Sequence, residues 1–190
     1  MIKLIDLLSE VFDLPDVVYH ATNIDFDKFD VSKSNYRGLI YFTVNKNFAK
    51  KYADEIVGGD KPVIIYHCKL NVNKVFDPED IDSLNLLKPI IHDLVKKNYK
   101  DSVTGKDYNP SGVSTIFIDG KKITNPSFDD MVNWNLWLAR HGSWRILEGE
   151  NILNYIKKNG YDALITYELN AQNIAVFDAD KVEILKKEYI

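Results

Sequence analysis

The chain has 190 residues, of which 45% are hydrophobic and 27% are charged, a composition that excludes a mostly disordered protein. Its 24 basic and 28 acidic residues give a formal net charge of −4, which argues against a protein that binds nucleic acid without sequence preference. The single cysteine, Cys68, excludes an internal disulfide and a cysteine-based zinc site, and the four histidines lack metal-ligand spacing. We therefore expect a globular protein without a metal.

The N-terminal residues predict a short amphipathic helix that ends near Pro15. Asp6 and Glu10 lie within it and no small-residue cleavage site follows, so it is not predicted to be a signal peptide. No apolar run reaches the ~18 residues of a membrane-spanning helix. The expected location is the cytoplasm, with no membrane contact.

Short strand and helix patterns follow in the first half of the chain. Runs rich in β-branched and aromatic residues predict strands at 17–20, 38–43 and 62–72. Thr43 or Asn45 can cap a helix that contains Phe48 and Tyr52, and the pair Gly58-Gly59 is expected to end it. In the strand at 62–72, alternation places four residues on one face, namely Ile64, Tyr66, Cys68 and Leu70.

The second half of the chain predicts further helices and three closing strands. Helical patterns lie at about 81–97, 127–140 and 148–158, and strand patterns lie at 114–118, 163–167, 173–177 and 182–185. Residues 100–110 are expected to form a loop, and Ser127 is a candidate helix cap. Because the helices and strands do not alternate regularly, the pattern favours an α+β fold over a doubly wound sheet.

Two segments stand out when they are read together. The first is the strand end Tyr19-His20-Ala21-Thr22, and the second is the strand Gly38–Thr43, which contains Tyr41. Tyr52 follows Tyr41 by eleven residues, on the predicted helix. Near the C-terminus lie two further motifs, Gly160-Tyr161-Asp162-Ala163-Leu164-Ile165 and Val176-Phe177-Asp178-Ala179-Asp180-Lys181-Val182.

These segments resemble the ADP-ribosyltransferase superfamily in its His-Tyr-Glu branch, which includes poly(ADP-ribose) polymerases, diphtheria-type toxins and the transferase domains of phage polyvalent proteins. The resemblance covers about 17–53 and 160–185. It implies a split, mostly antiparallel sheet surrounded by helices, in a single domain over 1–190 with a family-atypical insertion at about 71–150. It also implies NAD as a substrate and a phage-encoded protein in the host cytoplasm.

The resemblance also implies a role for each site residue. Tyr41 and Tyr52 would stack on the two faces of the nicotinamide, and the backbone of Ala21 would hold its carboxamide. His20 would bind a ribose hydroxyl and Thr22 would support the sugar. Breaking the nicotinamide–ribose bond develops positive charge on the ribose, so orientation and fixed electrostatics would supply most of the rate.

Two positions depart from the family pattern. Ala21 stands where the family has glycine, and Asn173 stands where the family has its catalytic glutamate. An asparagine can bind a hydroxyl but supplies neither charge nor base. Glu168 is the nearest acid in sequence and is the alternative for this position, although strand alternation favours Asn173.

The leading hypothesis is therefore a NAD-dependent mono-ADP-ribosyltransferase with a macromolecular acceptor, first a protein and second a nucleic acid. The alternatives are a NAD glycohydrolase that uses the same site, and a catalytically weak NAD-binding or structural phage module. The intact His20, Tyr41 and Tyr52 favour the two enzymes, whereas Asn173 and Ala21 favour the module. The sequence predicts nothing about oligomeric state.

Overall fold

A computed structural model of the chain describes residues 14–34, 38–53, 62–103, 115–168 and 171–190, without the side chains of 98–103, 144 and 168. The predicted N-terminal helix and the expected helix end at Gly58-Gly59 lie outside the described residues. Contacts along the chain divide it into two compact units. The first unit is Met1–Val75, Asp162–Leu164 and Leu169–Ile190, and the second is Phe76–Tyr161 and Ile165–Glu168.

Helices and strands are mixed along the chain, and together they form an α+β fold, as expected. The strands are β1 (Val18–Thr22), β2 (Ile40–Thr43), β3 (Ile64–Leu70), β4 (Val75–Phe76), β5 (Thr115–Ile118), β6 (Lys121–Thr124), β7 (Ala163–Glu168), β8 (Ala171–Val176) and β9 (Val182–Tyr189). The helices are α1 (Lys46–Tyr52), α2 (Ile81–Val103), α3 (Phe128–Arg140), α4 (Trp144–Leu147) and α5 (Glu150–Lys158). The predicted single domain with its insertion stays a prediction.

In the first unit, five strands follow one another in the order β8-β2-β1-β3-β9. Each neighbouring pair is antiparallel, which confirms the expected mostly antiparallel sheet. β1 pairs with β3 along its whole length, from Val18 opposite Cys68 to Thr22 opposite Ile64. β9 lies beside β3 at the end of this order and extends to Tyr189, beyond the strand predicted to end at 185.

One face of this sheet forms the hydrophobic core of the first unit. Alternate residues of β3 point into it, as predicted, and they are joined by side chains from the neighbouring strands and from the loop after β1, among them Val18, Phe29, Ile40, Phe42, Ile174 and Val176. Cys68 is fully buried here. Burial raises the pKa of its thiol to about 12, so the thiol stays neutral and acts as a small apolar side chain.

α1 begins at the predicted cap and packs against β1 and β2. The Asn45 side chain accepts hydrogen bonds from the backbone N–H groups of Asn47 and Phe48, at 2.9 and 3.1 Å. These bonds satisfy donors that the first helical turn would otherwise leave unpaired. At its first residue, Lys46, the helix reaches the sheet face that carries His67, which is opposite to the core face of Tyr66.

Within its described residues, the second unit contains the helices α2 to α5 and the β5–β6 hairpin. A reciprocal capping box starts α3: Ser127 Oγ accepts from the Asp130 N–H and Asp130 Oδ2 accepts from the Ser127 N–H, which confirms the predicted cap. α2 continues to Val103, so the prediction of a loop from residue 100 is wrong for residues 100–103. The reason is that no glycine or proline follows Lys97 before Gly105.

Gly142 and Gly160 offer a stability test, because each follows the C-terminal cap of a helix with a positive φ, of 65° and 80°. A Cβ at Gly142 would collide with the ring of Tyr167 and lie 2.8 Å from its backbone N, whereas at Gly160 it would meet nothing within 4 Å. We expect Gly142→Ala to lower the free energy of unfolding by about 2–4 kcal/mol, from strain plus the collision. Gly160→Ala should lower it by about 1 kcal/mol, from strain alone. Equal losses in urea denaturation would contradict this reading.

Candidate functional site

His20 and Tyr41, two of the predicted site residues, approach each other where β1 and β2 separate. The two strands pair at Tyr19 and Thr43, whereas the rest of β1 is held by β3 on its other edge. Backbone N–H and C=O groups alternate between the two edges of a strand. Some of these groups in residues 20–22 therefore point toward the edge of β1 on the side of β2, beyond the Tyr19–Thr43 pair. Such an edge can bind a flat amide through backbone hydrogen bonds.

The His20 side chain connects β1 to β2 at the point where the two strands separate. Its Nδ1 lies 2.8 Å from the carbonyl oxygen of Tyr41, so Nδ1 carries the proton and donates to that oxygen. In the neutral ring, Nε2 is then an acceptor. The bond fixes both the tautomer and the orientation of the imidazole.

Aromatic rings surround the His20 imidazole on the core side of the sheet. The ring centroid of Phe29 lies 5.1 Å away in an edge-on arrangement, that of Phe42 lies 5.8 Å away, and those of Tyr66 and Phe26 lie 6.4 and 6.5 Å away. Burial among them lowers the pKa of His20 below 6.5, more than the hydrogen bond to Tyr41 raises it. His20 is therefore neutral at physiological pH.

Tyr41 and Tyr52 lie on the two elements that the sequence predicts for them. Tyr41 is on β2 with its phenol oxygen buried, and Tyr52 is the last residue of α1, where its ring lies 6.3 Å from that of Phe48. Since α1 packs against β1 and β2, both tyrosines are carried by adjacent elements of the first unit. The stacking of both rings on one nicotinamide stays a prediction.

Asn173 lies on β8 directly opposite Thr43 of β2 and is buried, with 6% of its surface exposed. Directly opposed residues of an antiparallel pair point to the same face, so Asn173 shares the face of Thr43 and Tyr41. His20 lies opposite Phe42 and points to the other face, and its ring is joined to β2 by its bond to the Tyr41 carbonyl. Glu168 ends β7, and its side chain lies outside the described residues.

The two residues after His20 complete the strand end. Ala21 pairs with Ile65 of β3, and its side chain points to the same face as Tyr41. Thr22 Oγ1 accepts a hydrogen bond of 3.2 Å from the backbone N–H of Ile24, which starts the turn into the following loop. Their contacts with a carboxamide and a sugar stay predictions.

Sequence reasoning missed the side chains that hold the surroundings of His20. Tyr66 was placed on its correct face but given no role, and Lys187 and Glu188 fell beyond the predicted end of β9. The signal was present in the loop after β1, where Asp25-Phe26-Asp27 alternates charged and aromatic side chains. Its charged partners are distant in sequence, however, so the pattern alone could not identify them.

The described residues contain no group of three or more His, Cys, Asp or Glu side chains that could hold a metal ion. None of the described helices combines the length and hydrophobicity needed to cross a membrane.

The α+β fold with its mostly antiparallel sheet is consistent with the fold of ADP-ribosyltransferases, the class that this sequence resembles. The sequence model of the family described as ADP-ribosyltransferase in polyvalent proteins matches residues 14–187. The chain therefore belongs to this family, whose members use NAD as a substrate.

A search of curated proteins finds no match. Among solved structures, the chain is similar to one titled as the crystal structure of an anti-CRISPR protein, with 11% sequence identity, 92% of this chain and 94% of that chain covered, and a TM-score of 0.37.

Proposed function

We propose that this chain is a NAD-dependent mono-ADP-ribosyltransferase that cleaves the nicotinamide–ribose bond and transfers ADP-ribose to a macromolecular acceptor, a protein side chain. The observation that carries the proposal is the 2.8 Å bond from His20 Nδ1 to the Tyr41 carbonyl oxygen. It leaves Nε2 as a fixed acceptor for a ribose hydroxyl at the place where β1 and β2 part. A phage origin and a cytoplasmic location remain predictions.

In the proposed reaction, nicotinamide leaves with the electron pair of its bond to the ribose. The ribose gains oxocarbenium character. A lone pair of the acceptor then forms the new bond to the ribose carbon, and the acceptor loses its proton to solvent. His20 Nε2 accepts from a ribose hydroxyl and orients the sugar, while Tyr41 and Tyr52 hold the leaving ring by stacking. These contacts lower the barrier by holding NAD in a reactive conformation.

Asn173 limits the chemistry of this site. Its amide oxygen can accept from a second ribose hydroxyl, but it cannot take up a proton at neutral pH. The acceptor must then be nucleophilic by itself, and a sugar hydroxyl, which needs a base, is a poor acceptor. This favours a single transfer over growth of a poly(ADP-ribose) chain.

Asn173 also favours a second candidate, a NAD-binding module with little or no turnover. Without a carboxylate beside the ribose, the developing positive charge is less stabilised. Binding of NAD without release of nicotinamide would identify this module. Release with water as the acceptor would identify a NAD glycohydrolase on the same site.

The test uses purified protein with NAD that carries a label in its adenylate part, in the presence of host lysate. We expect slow release of nicotinamide and label on protein. Free labelled ADP-ribose alone would mean hydrolysis, and label on RNA or DNA would replace the protein acceptor by a nucleic acid. If millimolar NAD neither loses nicotinamide nor raises the melting temperature, both enzyme hypotheses and the binding module fail.

Tyr52→Ala should reduce the rate of nicotinamide release by about tenfold or more, because it removes one of the two rings proposed to stack on the nicotinamide. An aromatic pair of this kind contributes about 0.5–1.5 kcal/mol in addition to its buried area. Tyr155→Ala, which removes a half-buried tyrosine from α5 in the second unit, is the matched control. The proposed role of Tyr52 would be wrong if both substitutions reduced the rate equally.

A further inference from the structure

Two neighbouring residues near the end of β9, Lys187 and Glu188, carry opposite charges, and their side chains lie on opposite faces of the sheet. Lys187 lies opposite Tyr66 of β3, on the core face, and Glu188 lies opposite Ile65, on the face that α1 covers. Each side chain crosses from β9 to a different segment of the first unit. One segment is the loop whose aromatic rings pack on His20, and the other is the helix that carries Tyr52.

Lys187 holds the loop that follows β1. Its Nζ lies 2.7 Å from Asp25 Oδ1 and 2.7 Å from Asp27 Oδ1, and 5.7 Å from the centroid of the Tyr66 ring. The Tyr189 hydroxyl donates to Asp25 Oδ2 at 2.9 Å. These bonds lower the pKa of Asp25, first through Lys187 and then through Tyr189, so the ion pair persists at neutral pH.

The same loop carries the rings that enclose His20. Phe26 stacks on Tyr66 with centroids 4.5 Å apart and planes 9° from parallel, and its backbone N–H donates to the Tyr66 hydroxyl at 2.8 Å. Phe29 then meets His20 edge-on at 5.1 Å. Asp25 and Asp27 of the loop thus bond to β9, while Phe26 and Phe29 lie beside the imidazole.

His20, Tyr66 and Lys187 lie in one row across three neighbouring strands on the core face. Register places Tyr66 opposite His20 and Lys187 opposite Tyr66, so the charge of Lys187 is two strands away from the imidazole. The groups that face His20 are the Tyr41 carbonyl and the Phe42 ring from β2, the Tyr66 ring from β3 and the rings of the loop. Asp25 and Asp27 lie beyond these rings, bonded to Lys187.

Glu188 holds the start of α1 on the other face. Its carboxylate accepts from Lys46 Nζ at 2.7 and 3.0 Å and lies 3.0 Å from His67 Nε2. The bonds from Lys46 and then from His67 lower the pKa of Glu188 to about 2. The helix that is fixed in this way ends with Tyr52.

We propose that Lys187 and Glu188 are positioning residues for the NAD site: Lys187 holds the loop that packs on His20, and Glu188 holds the helix that ends with Tyr52. The proposal rests on the proposed function, but its structural part does not require turnover. One edge strand thereby fixes two groups of site residues that the chain carries on separate segments.

The first test measures the His20 pKa by NMR titration of its ring protons in the free, full-length protein. Lys187→Met keeps the apolar stem on Tyr66 and removes the charge. Water should then reach the imidazole through the loosened loop, and the His20 pKa should rise toward 6.5. Lys187→Arg should restore the wild-type value, and Lys186→Met, which changes an exposed neighbour, should leave it unchanged.

The second test compares Glu188→Gln with Glu183→Gln, an exposed glutamate of the same strand. Glu188→Gln should speed hydrogen exchange of the α1 amides and weaken nicotinamide binding about tenfold, the range expected for a residue that acts through another. An unchanged His20 pKa in Lys187→Met, or α1 exchange that is alike in both glutamate variants, would overturn the proposal. Because neither measurement needs NAD cleavage, failure of the proposed function would appear separately, as an inactive wild type.

Discussion

His20→Asn is expected to reduce nicotinamide release from NAD by about 10²–10³-fold, the loss typical when one fixed catalytic hydrogen bond is removed. The amide nitrogen of asparagine occupies the position of Nδ1, so the bond to the Tyr41 carbonyl can persist. No atom replaces Nε2, however, and the ribose hydroxyl loses its acceptor. The measurement is kcat/KM for nicotinamide release, with the folded state checked by circular dichroism.

His20→Gln is the matched variant, because its terminal amide reaches the position of Nε2 and its oxygen can accept from the ribose. We expect it to retain more activity than His20→Asn, although it loses the bond that orients the ring. If the asparagine variant were the more active of the two, the bond to Tyr41 would be the important feature and Nε2 would have no part in the reaction.

The pH profile gives a separate test of His20. Because burial lowers the pKa of His20 below 6.5, the neutral ring should persist down to pH 6.5, and nicotinamide release should fall only at lower pH as Nε2 takes up a proton. The same shift affects stability. The contribution of the neutral ring is fully present above pH 6.5 and is lost as the pH falls through the lowered pKa of the folded state.

Local patterns predicted much of the fold. The caps Asn45 and Ser127 and the alternation in β3 each act within a few residues, so the sequence alone identified them. β4 has two residues and α4 has four, which is too short to display a helical or strand period. β6 begins with two lysines, so its composition does not indicate a strand. The end of β9 was missed for a different reason: its residues are polar, and pairing with β3 makes them a strand.

The candidate site was predicted as a set of residues but not as an arrangement. The resemblance to the family, through the order and spacing of its motifs, predicts His20, Tyr41, Tyr52 and Asn173 as site residues. The sheet register shows that His20 points to the core face while Tyr41 and Asn173 point to the other. Contacts between residues more than one hundred positions apart in the sequence, such as that of Lys187 with Asp25, depend on which strands become neighbours in the sheet. No local sequence pattern encodes the order of the strands.

Asn173→Glu is expected to raise the rate of nicotinamide release by about 10–100-fold, the largest gain that one substitution in this chain should produce. Asn173 is buried opposite Thr43 on the face of Tyr41. A carboxylate there would stabilise the positive charge that develops on the ribose and could take a proton from the acceptor. Burial should raise the pKa of the new carboxyl group, so the gain should increase with pH through the neutral range.

Gln172→Glu is the control for this gain, since it adds the same charge one position away, where the side chain points to the opposite face of β8. It should leave the rate unchanged, as should Glu168→Gln if Asn173 holds the position of the family's acid. The new base should also allow water or a sugar hydroxyl to act as acceptor, so Asn173→Glu should release more free ADP-ribose. Loss of activity in Glu168→Gln, with no gain in a folded Asn173→Glu protein, would instead assign the acid to Glu168.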